Sequence, residues 1–393
     1  MDSITMQQII YITSRRLLPL DSGDKLLTFN ILKRLSKKRS IHLINLNEGS
    51  EYSAEELDTI SHLSTTFNTI SYKNEHSLFK KLKSILLNKM YWKVKIDNPE
   101  ITVEIMNIIK HNASSKSIIW DHLRSTLFFS DNDYKNTLIE HNNEAEIIRS
   151  RMSKSNNFIE KFILSQQSKK TDEHIHNVHK HMEKVITLNE NDFKTLYDEN
   201  PNKYEIMKHL LLDFSHKVYE VKNHTETLKV LFVGSLDWYP NTEGIEWFIE
   251  NVMPILDKNA FNYELNIVGR NPSEQFVNYI KSKSNIILNV NVPSIEEFYL
   301  KSDIFIIPIQ NGSGINIKVL EAFSYGIPMV MTNFSKRGYD KVNFINDSDS
   351  EEEFANNLME LKDFNKRAQL HKDSLAYYEN YQIESNSTLN HLF

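Results

Sequence analysis

The 393-residue chain contains no cysteine, and it has only nine glycines and nine prolines. Without cysteine there is no disulfide, no thiolate nucleophile and no zinc site built on sulfur. No stretch approaches the roughly 20 apolar residues that span a bilayer. The segment before Ile12 lacks the basic region and apolar run of a signal peptide. These absences predict a cytoplasmic protein.

The chain also has fewer basic than acidic residues. It contains 46 Lys and Arg and 52 Asp and Glu, which gives a formal net charge of −6. A general nucleic-acid binder carries a basic excess, so we expect no nucleic-acid partner. Apolar residues make up 40% and charged residues 25%, which is typical of a globular protein. The length suits two domains of roughly 150 to 200 residues each.

Short apolar runs alternate with helical periodicity along the chain, and this alternation predicts parallel α/β sheets. In the first half the predicted strands are 9–12, 41–46, 118–120 and 185–188. In the second half they are 230–233, 265–268, 286–290, 304–307 and 329–331. Between the first two of these, Ile245, Phe248, Val252 and Ile255 fall on one helical face. A polar stretch at 218–228 predicts a linker between domains 1–217 and 229–375.

Glycine-containing segments recur where the predicted strands of the second half end. They read FVGSLDWYPN at 232–241, IVGR at 267–270, GSGINIKVLEAF at 312–323 and GIPMV at 326–330. In this order and spacing they resemble the donor half of glycosyltransferase family 4 and its relatives. The resemblance is specific over about 229–340. It is looser in the first half, at 139–144 and 188–192.

The resemblance implies an α/β protein of GT-B architecture, with two Rossmann-like domains facing each other across a donor/acceptor cleft. The last residues, 376–393, are then expected to form a helix that returns to the first domain. The implied activity is transfer of a sugar, with retention at the anomeric carbon, from a UDP-sugar or related donor. The acceptor would be a glycan, a lipid-linked sugar or a protein in cell-surface glycan assembly.

The segment from Gly312 to Glu321 carries the clearest chemistry. A glycine-flanked turn before an apolar helix directs backbone N–H groups toward an anion. Lys318 adds a positive charge about one turn into that helix, and Glu321 lies on a neighbouring part of the same face. Such an arrangement suits a nucleoside diphosphate. The lysine and the backbone N–H groups would bind the phosphates, and the carboxylate would accept hydrogen bonds from the ribose hydroxyls. The resemblance assigns the same roles to these positions.

Several further positions complete the predicted site. The predicted catalytic residues are His122, Arg270 and Lys318, and the predicted donor-binding residues are Gly23, Gly234, Ser235, Arg270, Val292, Ser313, Gly314, Ile315, Lys318 and Glu321. No metal ion or other cofactor is expected, because the fixed cations would stabilise the leaving diphosphate. For Arg270 and His122 an ordinary surface or packing role remains open. The same holds for Lys336 and Arg337 in the turn at 332–338.

One departure from the family pattern keeps other functions open. Many members have a glutamate eight positions before the one that matches Glu321, and here that position is Ser313. The alternatives are a non-catalytic GT-B-like partner or glycan-binding subunit of a transferase complex, and a sugar-nucleotide epimerase. No pair of carboxylates suggests glycosidase chemistry.

Three other segments bear on metal and membrane binding. Asp131 and Asp133 lie in a polar turn, and we expect no metal there. His174, His176, His179 and His181 are interpreted as a solvated helix face, and His141 and Glu144 as structural. Residues 79–95 contain six lysines and no acid, with Phe79, Leu82, Leu86 and Met90 on one predicted face. This predicts either peripheral contact with the inner face of a membrane or a helix packed on its own domain.

Overall fold

The structure is a computed structural model that describes residues 7–47, 51–72, 78–96, 98–112, 117–214, 219–223, 226–339, 342–345 and 347–392. The chain divides into two compact units, Met1–Leu212 with Ser385–Phe393, and Asp213–Glu384. Each unit is a parallel sheet flanked by helices, which confirms the predicted α/β class with two Rossmann-like folds.

The first unit contains a seven-stranded parallel sheet with strand order β3-β2-β1-β4-β5-β6-β7. Its strands are β1 Gln8–Thr13, β2 Ser40–Asn47, β3 Thr66–Ser71, β4 Ser117–Asp121, β5 Lys135–Glu140, β6 Lys184–Thr187 and β7 Tyr204–Ile206. Its helices are α1 Gly23–Leu35, α2 Ala54–Ser61, α3 Leu78–Leu86, α4 Tyr91–Lys95, α5 Pro99–His111, α6 Glu144–Lys154, α7 Phe158–His181 and α8 Lys194–Glu199, with a 3₁₀ turn at Leu123–Phe128. The central strands are buried along nearly their whole length, as the apolar runs predict.

The second unit contains a five-stranded parallel sheet with strand order β10-β9-β8-β11-β12. Its strands are β8 Leu228–Val233, β9 Tyr263–Gly269, β10 Ile286–Val290, β11 Ile304–Ile307 and β12 Met329–Met331. Its helices are α9 Tyr239–Trp247, α10 Met253–Lys258, α11 Glu274–Lys281, α12 Glu296–Lys301, α13 Ile317–Tyr325 and α14 Glu351–Glu360. The last helix, α15 Phe364–Leu392, begins in this unit and ends in the first.

Each sheet has a switch point. This is the place where the order of strand addition reverses, so that later strands lie on the opposite side of the first strand of that sheet. In the first sheet this point lies between β1 and β4, and in the second it lies between β8 and β11. The connections leave these strands in opposite directions, so a crevice opens at their carboxyl ends, where open α/β sheets bind ligands. The chemistry-bearing residues of each unit are therefore expected at these two places.

A π-helical turn at Phe248–Val252 joins α9 to α10. Its wider turn shifts the helical phase, so that Leu256 is buried and Ile255 only half-buried, whereas the sequence predicted Ile255 on the apolar face. Pro254, just after this turn, lacks the N–H that a regular α-helix would need there.

The boundary between the two units lies before the predicted linker at 218–228. The two units meet along the chain at Leu212 and Asp213, and Tyr219 is already buried in the second unit, where its hydroxyl lies 3.5 Å from the carbonyl oxygen of Asp303. Of the predicted linker, residues 218, 224 and 225 lie outside the described residues. None of the described helices combines the length and apolarity that crossing a bilayer requires.

Candidate functional site

The switch point of the second unit is built around glycines. Gly234 follows β8, and Gly312 and Gly314 lie in the segment between β11 and α13, with φ angles of +134° and +78° that favour glycine. At the end of β9, a Cβ on Gly269 would lie 2.2 Å from the carbonyl oxygen of Gly234. Only glycine lets these two strand ends approach so closely. The result is a crevice lined by partly exposed backbone.

Lys318 lies in the first turn of α13 and reaches back to the loop after β8. Its Nζ donates a hydrogen bond of 2.8 Å to Oδ1 of Asn241 and lies 4.6 Å from the ring centroid of Phe232. A Cβ on Gly234 would lie 2.9 Å from this Nζ, so the cation is held directly against the glycine. Burial lowers the pKa of Lys318 to about 7, against the opposing effect of the Glu321 charge. A bound anion would therefore meet a cation that is poorly hydrated.

Glu321 lies three residues further along α13. Its Oε2 accepts a hydrogen bond of 3.2 Å from the hydroxyl of Tyr299, whose ring stacks on Tyr325 with centroids 4.4 Å apart. Burial raises the pKa of Glu321 to about 7, although Tyr299 and Lys318 both favour its charged form. The carboxylate is thus fixed in orientation by a buried tyrosine and keeps partial exposure at the crevice.

Arg270 and Ser235 belong to the same cluster. Arg270 Nε donates a hydrogen bond of 3.1 Å to Ser235 Oγ, and that hydroxyl donates one of 2.6 Å to Asp237. Asn241 Nδ2 donates one of 2.8 Å to the carbonyl oxygen of Ser235. These bonds fix the loop after β8 and hold the guanidinium group beside it. Arg270 is therefore part of an ordered cluster, although its surface remains half-exposed.

The turn after β12 supports the glycine segment. Ser335 Oγ donates a hydrogen bond of 2.9 Å to the carbonyl oxygen of Ile307, and a Cβ on Gly338 would lie 2.8 Å from the side chain of Ile315. In this turn Lys336 pairs with Asp347 at 2.8 Å, and Arg337 lies over the ring of Phe334. The two cations predicted here therefore have intramolecular partners.

The remaining predicted donor-binding residues lie in both units. Val292 is half-buried two residues after β10, Ser313 and Ile315 are half-buried, and Gly314 is buried. In the first unit, Gly23 is the first residue of α1. The structure therefore brings Gly234, Ser235, Arg270 and Lys318 together through contacts within the second unit, and it places Gly23 and His122 in the first unit.

The switch point of the first unit is a cluster of acidic and histidine side chains. Asp121, at the end of β4, is fully buried and accepts hydrogen bonds of 2.5 Å from Thr28 and 2.7 Å from Nε2 of His141. His122 stacks on His141 with ring centroids 3.7 Å apart, and its Nε2 lies 3.8 Å from Asp24. Burial alone would raise the pKa of Asp121, but the neighbouring His141 and His122 hold it below its ordinary value.

His122 adopts an unusual backbone conformation for a residue with a side chain, with φ of 70° and ψ of 145°. Burial, followed by the His141 charge, lowers its pKa to about 3. Its Nε2 is buried without a hydrogen-bond partner among the described residues. Strain combined with an unsatisfied polar atom is characteristic of functional residues, because packing alone does not favour either.

Asp121, His122 and His141 offer ligand atoms within 4.8 Å of one another. The histidine rings, however, are stacked with an interplanar angle of 24°. The in-plane lone pairs of two stacked rings run nearly parallel, whereas metal ligation requires them to converge on one point. We therefore assign no ion to this cluster.

The histidines of α7 differ from their predicted state. His174 and His179 are buried, whereas His176 and His181 are exposed, so the interpretation as a solvated face is wrong for the first pair. His179 bridges Glu140 at 3.2 Å and the hydroxyl of Tyr204 at 3.0 Å. These partners come from β5 and β7, and the periodicity of one helix does not reveal them.

Three participating residues were not singled out from the sequence. Asn241 holds Lys318, Tyr299 orients Glu321, and Asp121 organises the histidines. Asn241 ends the segment that carried the resemblance, so its position was a usable signal. Tyr299 carries no such signal, because its contact joins α12 to α13.

The fold resembles solved glycosyltransferase structures along nearly the whole chain. A point mutant of TarM from S. aureus, in complex with fondaparinux, α-GlcNAc-glycerol and UDP, is 12% identical, with a TM-score of 0.63 and 98% of each chain covered. WaaG, a glycosyltransferase involved in lipopolysaccharide biosynthesis, is 12% identical, with a TM-score of 0.62 and 97% of this chain and 98% of that chain covered. The fold is thus of the GT-B glycosyltransferase class.

The sequence comparisons point to a family within this fold class. Residues 227–363 match the model of the family described as Glycosyl transferases group 1. An uncharacterized 44.6 kDa protein in the cps region of Klebsiella pneumoniae is 32% identical over 116 residues, which cover 28% of this chain and 30% of that protein. The match thus spans less than a third of this relative. The predicted resemblance to group 1 glycosyltransferases of GT-B fold is confirmed.

Proposed function

We propose that the protein is a retaining glycosyltransferase that uses a UDP-sugar donor. The observation that carries this proposal is the position of Lys318, which lies in the first turn of α13 and 2.8 Å from Asn241. A diphosphate at this crevice would accept hydrogen bonds from backbone N–H groups and from the lysine. Arg270 lies in the neighbouring loop and adds a second positive charge.

The ribose, the base and the sugar of the donor are assigned to residues whose chemistry suits each group. Glu321, oriented by Tyr299, accepts hydrogen bonds from the ribose hydroxyls, and the segment at Val292 packs against the base. Gly234, Ser235, Gly314 and Ile315 supply backbone surface for the phosphates and sugar. Ser313 has no carboxylate, so the sugar is held mainly by backbone groups at that position. No metal ion or cofactor is needed in this proposal.

In the transfer step, the bond between the anomeric carbon and the diphosphate oxygen breaks as the acceptor oxygen bonds to the same face of the sugar. The acceptor proton passes to the departing diphosphate oxygen. Lys318 and Arg270 stabilise the charge that develops on the leaving group. His122 interacts with the transferred sugar, and its strained backbone supports such a role.

We place this reaction in cell-surface glycan assembly, with a glycan, lipid-linked or protein acceptor. Support comes from the cps-region relative and from WaaG, which is described as acting in lipopolysaccharide biosynthesis. The presence of UDP in the TarM complex supports uracil as the base of the donor.

Thermal-shift titration with UDP, GDP, ADP and their sugar conjugates tests the donor site. UDP at 100 times its Kd should stabilise the fold by about 2.7 kcal/mol. The Lys318→Ala and Glu321→Ala variants should lose this shift. Lys301→Ala serves as a matched control, because Lys301 is a lysine of the same unit that is 69% exposed. The absence of any nucleotide-induced shift in the unmodified chain contradicts the proposal.

A second experiment separates transfer from the alternatives. A transferase releases UDP only in the presence of acceptor, and NMR of the product should show the donor's anomeric configuration. An epimerase consumes the donor without an acceptor. A non-catalytic binding subunit, which the serine at position 313 would favour, shows the thermal shift but releases no UDP with any acceptor. Activity abolished by a chelator and restored by a divalent ion contradicts the metal-free mechanism.

A further inference from the structure

Large apolar side chains are exposed at the start of α7. Phe158 is 83% exposed, Ile159 is 69% exposed and Phe162 is 61% exposed. Single exposed apolar residues are ordinary, but a group of large ones marks an interaction surface. Their spacing places them on one side of the helix, and Gln166 continues the same side one turn later.

Gln166 joins this helix to the end of α3. Its Nε2 donates hydrogen bonds of 3.2 Å to the carbonyl oxygen of Ile85 and 3.3 Å to Oδ1 of Asn88. This contact places the chain at residues 85–88 beside Gln166 of α7, and Leu86 and Leu87 within that stretch are 85% and 48% exposed. The apolar face, defined as Leu86, Leu87, Phe158, Ile159 and Phe162, thus combines two segments that are distant in sequence.

The surroundings of the apolar face are positively charged. Lys83, Lys89 and Lys161 are exposed in the same two segments. Residues 79–95 contain no acid, and Glu160, in the first turn of α7, is already paired with Arg151 at 2.6 Å. The chain as a whole is acidic, with a net charge of −6, so this local excess of lysine differs from the average of the chain.

We propose that the apolar face binds the surface of a bilayer that contains anionic phospholipid. Apolar side chains insert at the boundary of headgroups and acyl chains, while lysines contact the phosphate groups. The positive rim matches anionic lipid in charge. A rim of one sign also disfavours self-association through this face, because the lysines of two copies would repel each other.

This surface shares only Leu86 with the one that the sequence predicted, and Met90 of the predicted surface is buried. Within 79–95, Trp92 is covered by cations, since Arg124 lies 3.9 Å and Lys95 lies 4.4 Å from its ring centroid. The side chains of Phe79 and Leu82 lie outside the described residues. The aromatic contribution comes instead from α7, in a region where the sequence showed only helical character.

Flotation of the full chain with vesicles tests the proposal, and it needs no donor or acceptor. We expect binding to vesicles that contain about 30% phosphatidylglycerol in phosphatidylcholine, and at least tenfold weaker binding to pure phosphatidylcholine. The combined variant Phe158→Ser, Ile159→Ser, Phe162→Ser should reduce binding at least tenfold. The matched control is Val103→Ser with Ile383→Ser, since these apolar residues are 60% and 71% exposed elsewhere.

A charge variant adds an independent measurement. Lys83→Glu, Lys89→Glu and Lys161→Glu together should weaken binding to anionic vesicles by more than tenfold, and added salt should weaken binding of the unmodified chain. Equal flotation of the serine variant and its control overturns the proposal. So does a chain that ignores vesicles but loses dimerisation in the serine variant, because the apolar face would then bind a second copy. Circular dichroism confirms that each variant is folded.

Discussion

The two switch points of this protein use opposite means to prepare a site. In the second unit the crevice is formed by glycines and exposed backbone, with Lys318 and Glu321 added from one helix. In the first unit the corresponding place is filled by buried side chains around Asp121 and His122. An extended anion requires close approach to backbone N–H groups, whereas a histidine is positioned only by neighbours that fix its ring. The difference indicates separate tasks for the two places.

The strongest test of the glycine-built crevice is Gly269→Ala. Its Cβ would lie 2.2 Å from the backbone oxygen of Gly234, which cannot move without separating β8 from β9. We expect destabilisation of about 3 kcal/mol or more, measured by thermal unfolding.

Gly234→Ala is the matched comparison for this substitution. Its Cβ would meet the ends of the Lys318 and Asn241 side chains at 2.9 Å, and such ends can move. This variant should keep most of the stability and lose UDP binding. Equal stability loss in both variants would show that the two glycines do not differ as described.

The side-chain cluster of the first unit is tested by Asp121→Asn. The change keeps the shape but removes the charge that accepts hydrogen bonds from Thr28 and His141. Because Asp121 is fully buried, we expect a loss of about 2 kcal/mol in the free energy of unfolding. Asp131→Asn, at a side chain that is 78% exposed, should change stability by less than about 0.5 kcal/mol. A similar effect of both changes would contradict a special role for the buried carboxylate.

The pH dependence of UDP binding tests the role of Lys318 in the second unit. Burial lowers the pKa of Lys318 to about 7 in the free protein, and a bound diphosphate favours its protonated form. The part of the affinity that depends on the Lys318 charge should therefore be constant below pH 7 and should fall by up to tenfold per pH unit above it, until the pKa of the complex is reached.

Isothermal titration calorimetry from about pH 6 to about pH 9 measures this dependence. Lys318→Gln should bind weakly with no such slope. A slope that persists in this variant would assign the titration to another group.

The smallest expected effect concerns the backbone of His122. Because φ is 70° and ψ is 145°, His122→Gly should be more stable than His122→Ala by about 1 kcal/mol. Both variants lose the same ring, so their difference isolates the backbone strain. Both should also reduce the transfer rate, as measured by UDP release with acceptor. Full activity in both would show that the ring has no part in transfer.

Local signals predicted the second unit better than the first. All five of its strands were found from apolar runs, whereas β3, β5 and β7 of the first unit were not. β3 is an edge strand and mostly exposed, so it has no continuous apolar run. In β5, the buried Asn136 interrupts the pattern because it accepts a hydrogen bond of 2.9 Å from Trp120 Nε1.

The sequence by itself determined the α/β class, the glycine crevice and the spacing of Lys318 and Glu321. These features depend on neighbours along the chain, and a strand, a turn and a helix start encode them in a few residues. Tertiary structure alone decided the partners of Asp121, the contact of Tyr299 with Glu321, and the apolar face. Each of these joins elements that are distant in the chain, and their meeting depends on strand order and helix packing, which no local pattern specifies.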